Sequence, residues 1–239
     1  MIKFTKMSCV QVAVIASLVI SGCAEAKKKK PEPLPPPPPP APKMVVVAWK
    51  PIPPEWAAPN TQVPPLLPDG LRQSVNRNIS PSQTTWNLRS GYNVAALNCL
   101  DPKHAEILVN YRTFLKTHAK TLKAVNAKVD AEWRAKYGAG FIKVREKYMT
   151  EVYNHFAIPP TLPAFCDAAL VMSREAKLIK SADLNNFAAR SLPNLEIVFD
   201  DFFKRFDQYR LDMAAWETKW GKDAVPGSTV LATPTNSTM

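Results

Sequence analysis

The chain has 239 residues, of which 24 are proline and only seven are glycine, and its formal net charge is +11. So few glycines leave little room for loops that cradle phosphates, and the sequence contains no Walker loop, dinucleotide fingerprint or GxSxG elbow. Six positive charges lie within the first 30 residues, and discounting them leaves +5, which does not favour a nucleic-acid-binding protein.

The first 22 residues have the order of an export signal. Lys3 and Lys6 give a positive start, and residues 10–20 form an apolar stretch that is too short to span a bilayer comfortably. The stretch ends in Ile20-Ser21-Gly22-Cys23, which resembles the lipobox of bacterial lipoproteins. The alternative is an uncleaved anchor or an ordinary signal peptide, with Cys23 incidental.

The lipobox resemblance implies that residues 1–22 are cleaved off and that Cys23 carries a diacylglycerol group and a further fatty acid such as palmitate. Several long acyl chains anchor a protein durably, whereas one alone binds only marginally. Ala24 follows Cys23 at the position where an aspartate would indicate retention in the inner membrane. We therefore expect the protein in the cell envelope, lipid-anchored to the outer membrane and facing the periplasm.

The cysteines agree with export. Cys9 would leave with the signal peptide and Cys23 would be acylated, so Cys99 and Cys166 would be the only free thiols in an oxidising compartment. We expect them to form a disulfide, which would stabilise the fold by roughly 4 kcal/mol. The alternative is a single nucleophilic cysteine.

Residues 23–79 are expected to form a tether. Lys27–Lys30 would lie beside anionic head groups, and Pro31–Pro42 would form a polyproline II spacer or, alternatively, a ligand for a proline-binding module. The stretch that follows is expected to lie partly against the body, with Trp49 and Trp56 buried on the helices.

Residues 80–221 predict an all-α domain, a bundle of about five to six helices with one disulfide. Capping residues and prolines mark the starts of the helices, and glycines or prolines mark their ends. The expected helices cover residues 81–98, 101–137, 141–157, 163 onward, 181–190 and 193–220. Gly91 weakens the prediction of the first of these helices. Residues 222–239 lack periodicity and are expected to be disordered.

The last helix has the clearest apolar face in the chain. Bulky residues recur at alternating steps of four and three, a spacing typical of bundle helices: Leu195, Phe199, Phe202, Phe206, Tyr209, Met213, Trp216 and Trp220. An intramolecular core is the preferred interpretation. The alternative is that Trp216 and Trp220 form an exposed partner surface or homodimer contact. The opposite face carries Asp200, Asp201, Lys204, Asp207 and Arg210.

The sequence offers few residues for catalysis, and we predict no catalytic residue, metal site or cofactor. Its three histidines form no HExxH motif, and no CxxC motif occurs. His104 is expected to be solvated. His118 lies on an inward helix face, where a buried, hydrogen-bonded histidine is favoured over a catalytic one. The carboxylates of Asp200, Asp201, Glu146 and Glu151 could be proposed as a glycosidase pair, but helical carboxylates of this kind are ordinarily solvated.

Residues 92–99 and 157–166 resemble segments of uncharacterised envelope lipoproteins of proteobacteria. The favoured hypothesis is a non-enzymatic lipoprotein, anchored to the membrane by lipid, whose helical module binds an envelope protein or peptidoglycan. An enzyme acting on peptidoglycan or another envelope polymer is the alternative, which a cleft joining His118 or His155 to a carboxylate would favour. A third possibility is an accessory subunit of an export or assembly machine. The sequence leaves the oligomeric state open.

Overall fold

The computed structural model describes residues 36–37, 39 and 41–232, so the predicted signal peptide lies outside the described residues. By its contacts, the helical body belongs to one compact unit that begins at Lys43. This body confirms the predicted all-α bundle. Its helices are α1 (Pro81–Asn98), α2 (Glu106–Thr117), α3 (Ala119–Tyr137), α4 (Phe141–Phe156), α5 (Leu162–Ala176) and α6 (Leu184–Trp220), and its strands are β1 (Met44–Val46) and β2 (Thr229–Leu231).

Helix α1 is the centre of the bundle and contacts each of the other five α-helices. Small residues let its neighbours approach closely, and Ala95 is completely buried. A Cβ atom on Gly91 would lie only 2.9 Å from Cζ of the Phe156 ring, so this glycine makes room for a core aromatic side chain. Because α1 is surrounded, it has no single apolar face that a sequence pattern could reveal.

The predicted helix boundaries near capping residues are confirmed. The Ser80 side chain accepts a hydrogen bond from the backbone N–H of Gln83 at 3.1 Å, which caps the first turn of α1. Gly138 ends α3 with a φ of +63°, and Gly221 ends α6 with a φ of +86°, a backbone conformation that favours glycine.

The Cys99–Cys166 disulfide is present, as predicted. It ties the residue that follows α1 to the fifth residue of α5 across 67 residues of sequence. Both cysteines are buried in the main core. The disulfide therefore links two core helices inside the fold.

The prediction of one continuous helix over residues 101–137 is wrong, because the helix breaks at His118. That residue leaves the helical conformation at φ −103° and ψ 11° and separates α2 from α3. Its ring packs on Phe114, with 4.8 Å between the ring centroids, and its Nδ1 lies 3.0 Å from Oγ of Ser181. The break allows α2 to pack on α5 while α3 packs on α1 and α4.

The prediction of two separate final helices is also wrong, because α6 runs continuously through Pro193. Proline in a helix interior costs about 3 kcal/mol, since it lacks an N–H donor and its ring crowds the preceding turn. Here the ring faces solvent, while Leu192, Leu195 and Phe199 beside it are almost fully buried. Burial of these side chains offsets the cost of the proline.

The two chain segments expected to be a tether and a disordered tail meet in a small sheet. Strand β1 pairs antiparallel with β2, with Val45 opposite Val230. Residues 44–46, which were expected to be extended chain lying partly against the body, form strand β1, and the disorder prediction is wrong for residues 229–231. Backbone hydrogen bonds between segments this far apart in the sequence leave no local pattern.

Candidate functional site

The residues from 43 to 79, which we call the N-terminal arm, lie along α6. Three hydrogen bonds hold the first half of the arm: Trp216 Nε1 to the Ala48 carbonyl at 2.8 Å, Arg205 Nη2 to Glu55 Oε1 at 2.7 Å, and Arg210 Nη2 to the Thr61 carbonyl at 2.7 Å. The arm thus begins near the carboxyl end of α6. It lies against the helical body, in agreement with the expectation for the stretch that follows the proline tract.

The second half of the arm is held by acidic residues on α6. Asp200 and Asp207 lie on the same face of α6, because they are seven residues apart and seven residues make about two helical turns. Arg72 forms an ion pair with Asp207, and its backbone N–H donates to Asp200 Oδ1 at 3.1 Å. Arg77 forms an ion pair with Asp200. These carboxylates were placed by sequence on the face opposite the core, and the structure shows that this face binds the arm.

Glu196, one turn before Asp200, is buried and accepts hydrogen bonds from three side chains. Its Oε2 accepts from Ser74 Oγ at 2.6 Å, and its Oε1 accepts from Asn76 Nδ2 at 2.8 Å and from His155 Nε2 at 2.8 Å. Burial alone would raise the pKa of Glu196. The combined lowering by His155, Ser74 and Asn76 is larger, so the pKa is below its ordinary value. Glu196 is therefore ionised at neutral pH and joins the arm, α4 and α6.

The ionised Glu196 determines which nitrogen of His155 carries a proton. Because the carboxylate can only accept, His155 Nε2 must donate to it. In the neutral ring the lone pair is then on Nδ1, which has no hydrogen-bond partner among the described residues. His155 also lines an open cleft of about 500 Å³ with Ser74, Tyr148 and Glu151. A histidine oriented by a carboxylate beside a cleft has the chemistry of a general base.

His104 also contacts a carboxylate and lines a smaller cleft, of about 210 Å³, beside the disulfide. His104, which was expected to be solvated, is buried, and its Nε2 lies 2.7 Å from Asp167 Oδ1. The pKa of Asp167 is lowered by hydrogen bonds from Lys103 and from His104. This arrangement is an ion-paired cluster at the bundle surface, since Asp167 itself is exposed.

His118 is buried, as the sequence indicated. The Ser181 hydroxyl donates to the Thr117 carbonyl at 3.0 Å, so it accepts from Nδ1–H of His118 at 3.0 Å. Its Nε2 then bears the lone pair and is enclosed without a partner among the described residues. Burial lowers the pKa of His118, which keeps the ring neutral. The His118 ring is therefore a buried part of the break between α2 and α3 and does not face a cleft.

The tryptophans agree only in part with the sequence prediction. Trp216 is only 6% exposed because the arm covers it, which agrees with the preferred intramolecular interpretation and excludes the alternative that this residue lies open to a partner. Trp220 is partly exposed, with Lys219 Nζ over its ring at 4.7 Å. By contrast, Trp49 and Trp56, expected to be buried, are 81% and 82% exposed. The open indoles are thus on the arm.

The remaining predicted site residue, Cys23, lies outside the described residues. Within residues 41–232, no group of three or more His, Cys, Asp or Glu side chains is arranged to hold a metal ion. In the same region no single helix has the length and apolar composition of a membrane span, although the bent pair formed by residues 119–156 and 159–176 reaches that composition. Comparisons with known protein families, with characterised proteins and with solved structures gave no match.

Proposed function

We propose that the chain is a lipoprotein of the bacterial cell envelope, anchored through Cys23, and that its helical body is a non-enzymatic binding module. The outer membrane, with the body in the periplasm, is the proposed location. The Cys99–Cys166 disulfide supports an oxidising compartment, since disulfides persist in exported proteins and are rare in the cytosol. The lipobox-like sequence ending at Cys23 supports the lipid anchor.

The observation that carries the binding function is the exposure of Trp49 and Trp56 on an arm that is fixed to α6. A large indole exposed to water is unfavourable, and tryptophan is enriched among the residues that dominate binding energy at interfaces. The hydrogen bonds from Trp216 to Ala48 and from Arg205 to Glu55 hold the backbone next to each indole. The two side chains are therefore presented from an ordered backbone, which lowers the entropy cost of binding.

Photo-crosslinking in living cells tests this proposal. A photoreactive amino acid at Trp49 or Trp56 is expected to give a reproducible adduct with an envelope protein or with peptidoglycan. The matched control is Leu178, which is 83% exposed but lies beyond the end of α5. If Leu178 gives the same adducts, or if neither tryptophan position gives any, the arm is not the binding surface. A partner that belongs to an export or assembly machine would make the chain an accessory subunit.

The lipid anchor has a separate test. Replacing Cys23 with Ser should abolish both fatty-acid labelling and signal cleavage, because the thiol that accepts the diacylglycerol is lost. Ser21→Ala, two residues upstream, retains that thiol and serves as the control. A Cys23→Ser protein that still carries fatty acid would show that the anchor lies elsewhere.

An enzyme acting on peptidoglycan or another envelope polymer is the second candidate. The observation that favours it is His155, which Glu196 orients beside the open cleft. If the protein is an enzyme, it should release soluble fragments from purified peptidoglycan, and His155→Ala should abolish the release. His104→Ala, which changes a histidine outside this cleft, should retain it. Absence of any release by the wild-type protein would argue for the binding module.

A further inference from the structure

The turn between α3 and α4 forms a basic tip, residues 134–147, at one end of the helical pair. Gly138 and Gly140 flank the turn, and residues 134–140 are all exposed. Below this surface, Trp133 and Phe141 are buried in a small core of their own. The Trp133 ring stacks on Tyr137 with 5.1 Å between the ring centroids, so the tip is built on packed aromatic side chains.

Positive charge dominates the tip. Residues 134–147 contain five basic residues and one acidic residue, Glu146. Arg134, Lys136, Lys143 and Lys147 are exposed, and none of them forms an ion pair within the described part of the chain. Arg145 differs, because it is partly buried and pairs with Asp130 at 3.0 Å. Four cations therefore remain free to meet an anionic partner.

Apolar side chains are exposed among these cations. Ile142 is 57% exposed, and Tyr137 and Val144 are exposed to a smaller extent. The guanidinium of Arg134 lies 5.0 Å from the centre of the Phe141 ring, and Lys136 Nζ lies 5.2 Å from that of Tyr137. Cations at the rim of a small apolar surface suit a lipid interface, where the apolar groups sink between head groups and the basic side chains reach the phosphates.

We propose that the basic tip binds the surface of bilayers that contain anionic phospholipids. Each basic residue near such a surface favours binding by about a factor of five, and the exposed Ile142 and Tyr137 add burial of apolar area. Charge complementarity selects this partner, because the tip carries five cations against one carboxylate, Glu146, and four of those cations form no ion pair in the described part of the chain. The proposal goes beyond the lipid anchor and does not depend on it.

The position of the tip supports a contact separate from that anchor. Two contacts place the tip near the start of α6. Ser80 Oγ, at the start of α1, donates to Glu132 Oε2 just before the tip at 2.6 Å. Thr85, in the first turns of α1, donates to Asn185 at the start of α6. The arm begins beside Trp216, 31 residues further along α6 than Asn185, which corresponds to about 45 Å. The tip and the start of the arm are thus toward opposite ends of α6.

Vesicle co-sedimentation tests the proposal. Residues 43–239 are used because they contain the complete core and the disulfide but lack both Cys23 and Lys27–Lys30. The protein is expected to sediment with phosphatidylcholine vesicles containing one-third phosphatidylglycerol and not with pure phosphatidylcholine vesicles. Replacing Lys136 and Lys143 with Gln should lower the partition coefficient roughly 25-fold.

A matched pair on the same helical hairpin separates the tip from total charge. Lys120 and Lys123 are exposed and form no ion pair in the described structure, so replacing both with Gln removes the same charge outside the tip. This control should retain most of the binding, and both variants should melt at the wild-type temperature. Equal losses from the two pairs, equal binding to neutral vesicles, or sedimentation with peptidoglycan but not with vesicles would each overturn the proposal.

Discussion

Removing the Glu196 carboxylate is predicted to release the N-terminal arm. In Glu196→Ala, the side chains of Ser74, Asn76 and His155 lose their common acceptor. Leaving a buried donor without a partner costs about 1–3 kcal/mol. Because all three donors are only partly buried or lie beside clefts that water can reach, we take the lower limit for each, which gives about 3 kcal/mol in total.

Limited proteolysis measures this release directly. Trypsin cleaves after arginine, and both Arg72 and Arg77 are held against α6 by ion pairs in the folded arm. Ser74 and Asn76 are the two donors on the arm, so about 2 kcal/mol falls on its local opening, and cleavage after these residues should become faster by a factor of about 30. Asp201→Ala is the matched control, since Asp201 is the exposed neighbour of Asp200 on the same helix.

The contribution of Glu196 to the unfolding free energy should decrease at low pH. Because the pKa of Glu196 is lowered in the folded protein, its contribution to stability is complete above the ordinary pKa of 4.5 and is lost as pH falls through the folded value. The difference in unfolding free energy between the wild type and Glu196→Gln should therefore shrink below about pH 4.5. A stability loss under 1 kcal/mol at pH 7 together with unchanged cleavage in Glu196→Ala would refute the role of Glu196 in holding the arm.

Two further predictions concern the core. Gly91→Ala places a Cβ atom 2.9 Å from the fully buried Phe156 ring, so overpacking should outweigh the better helix propensity and destabilise by about 1–2 kcal/mol. Gly140→Ala, with nothing within 4 Å of its added Cβ, should not lower the melting temperature, and equal effects would contradict the packing argument. Reducing the Cys99–Cys166 disulfide should lower the unfolding free energy by about 4 kcal/mol in denaturant titrations. A reduced protein as stable as the oxidised one would show that the bond does not constrain the unfolded chain.

The candidate site was only partly predictable. The sequence analysis named His118 and His155 as the histidines that a cleft could join to a carboxylate, and of these two it is His155 that lies beside such a cleft. Glu196 was missed because it follows the seam residue Leu195 and carries no motif. Its partners Ser74 and Asn76 are 122 and 120 residues away, and a single sequence gives no signal for pairs at that separation.

The local features of the fold were determined by the sequence itself. The capping hydroxyl of Ser80 and the glycines at 138 and 221 act within one helical turn, so their effect can be read from neighbouring residues. The repeated apolar spacing of α6 likewise indicates its buried face, and Phe199, Phe202 and Phe206 are in the core. The disulfide followed from counting the cysteines that remain after export.

Tertiary contacts decided the rest. The break at His118 occurs because α2 packs on α5 and α3 packs on α4, while both contact α1. Helix α6 continues through Pro193 because burial of its neighbours offsets the lost hydrogen bond. The arm binds to α6 through ion pairs and hydrogen bonds between residues more than 100 positions apart. Trp216 is buried and Trp49 is exposed for the same reason, since the path of the arm over α6 determines which indole is covered.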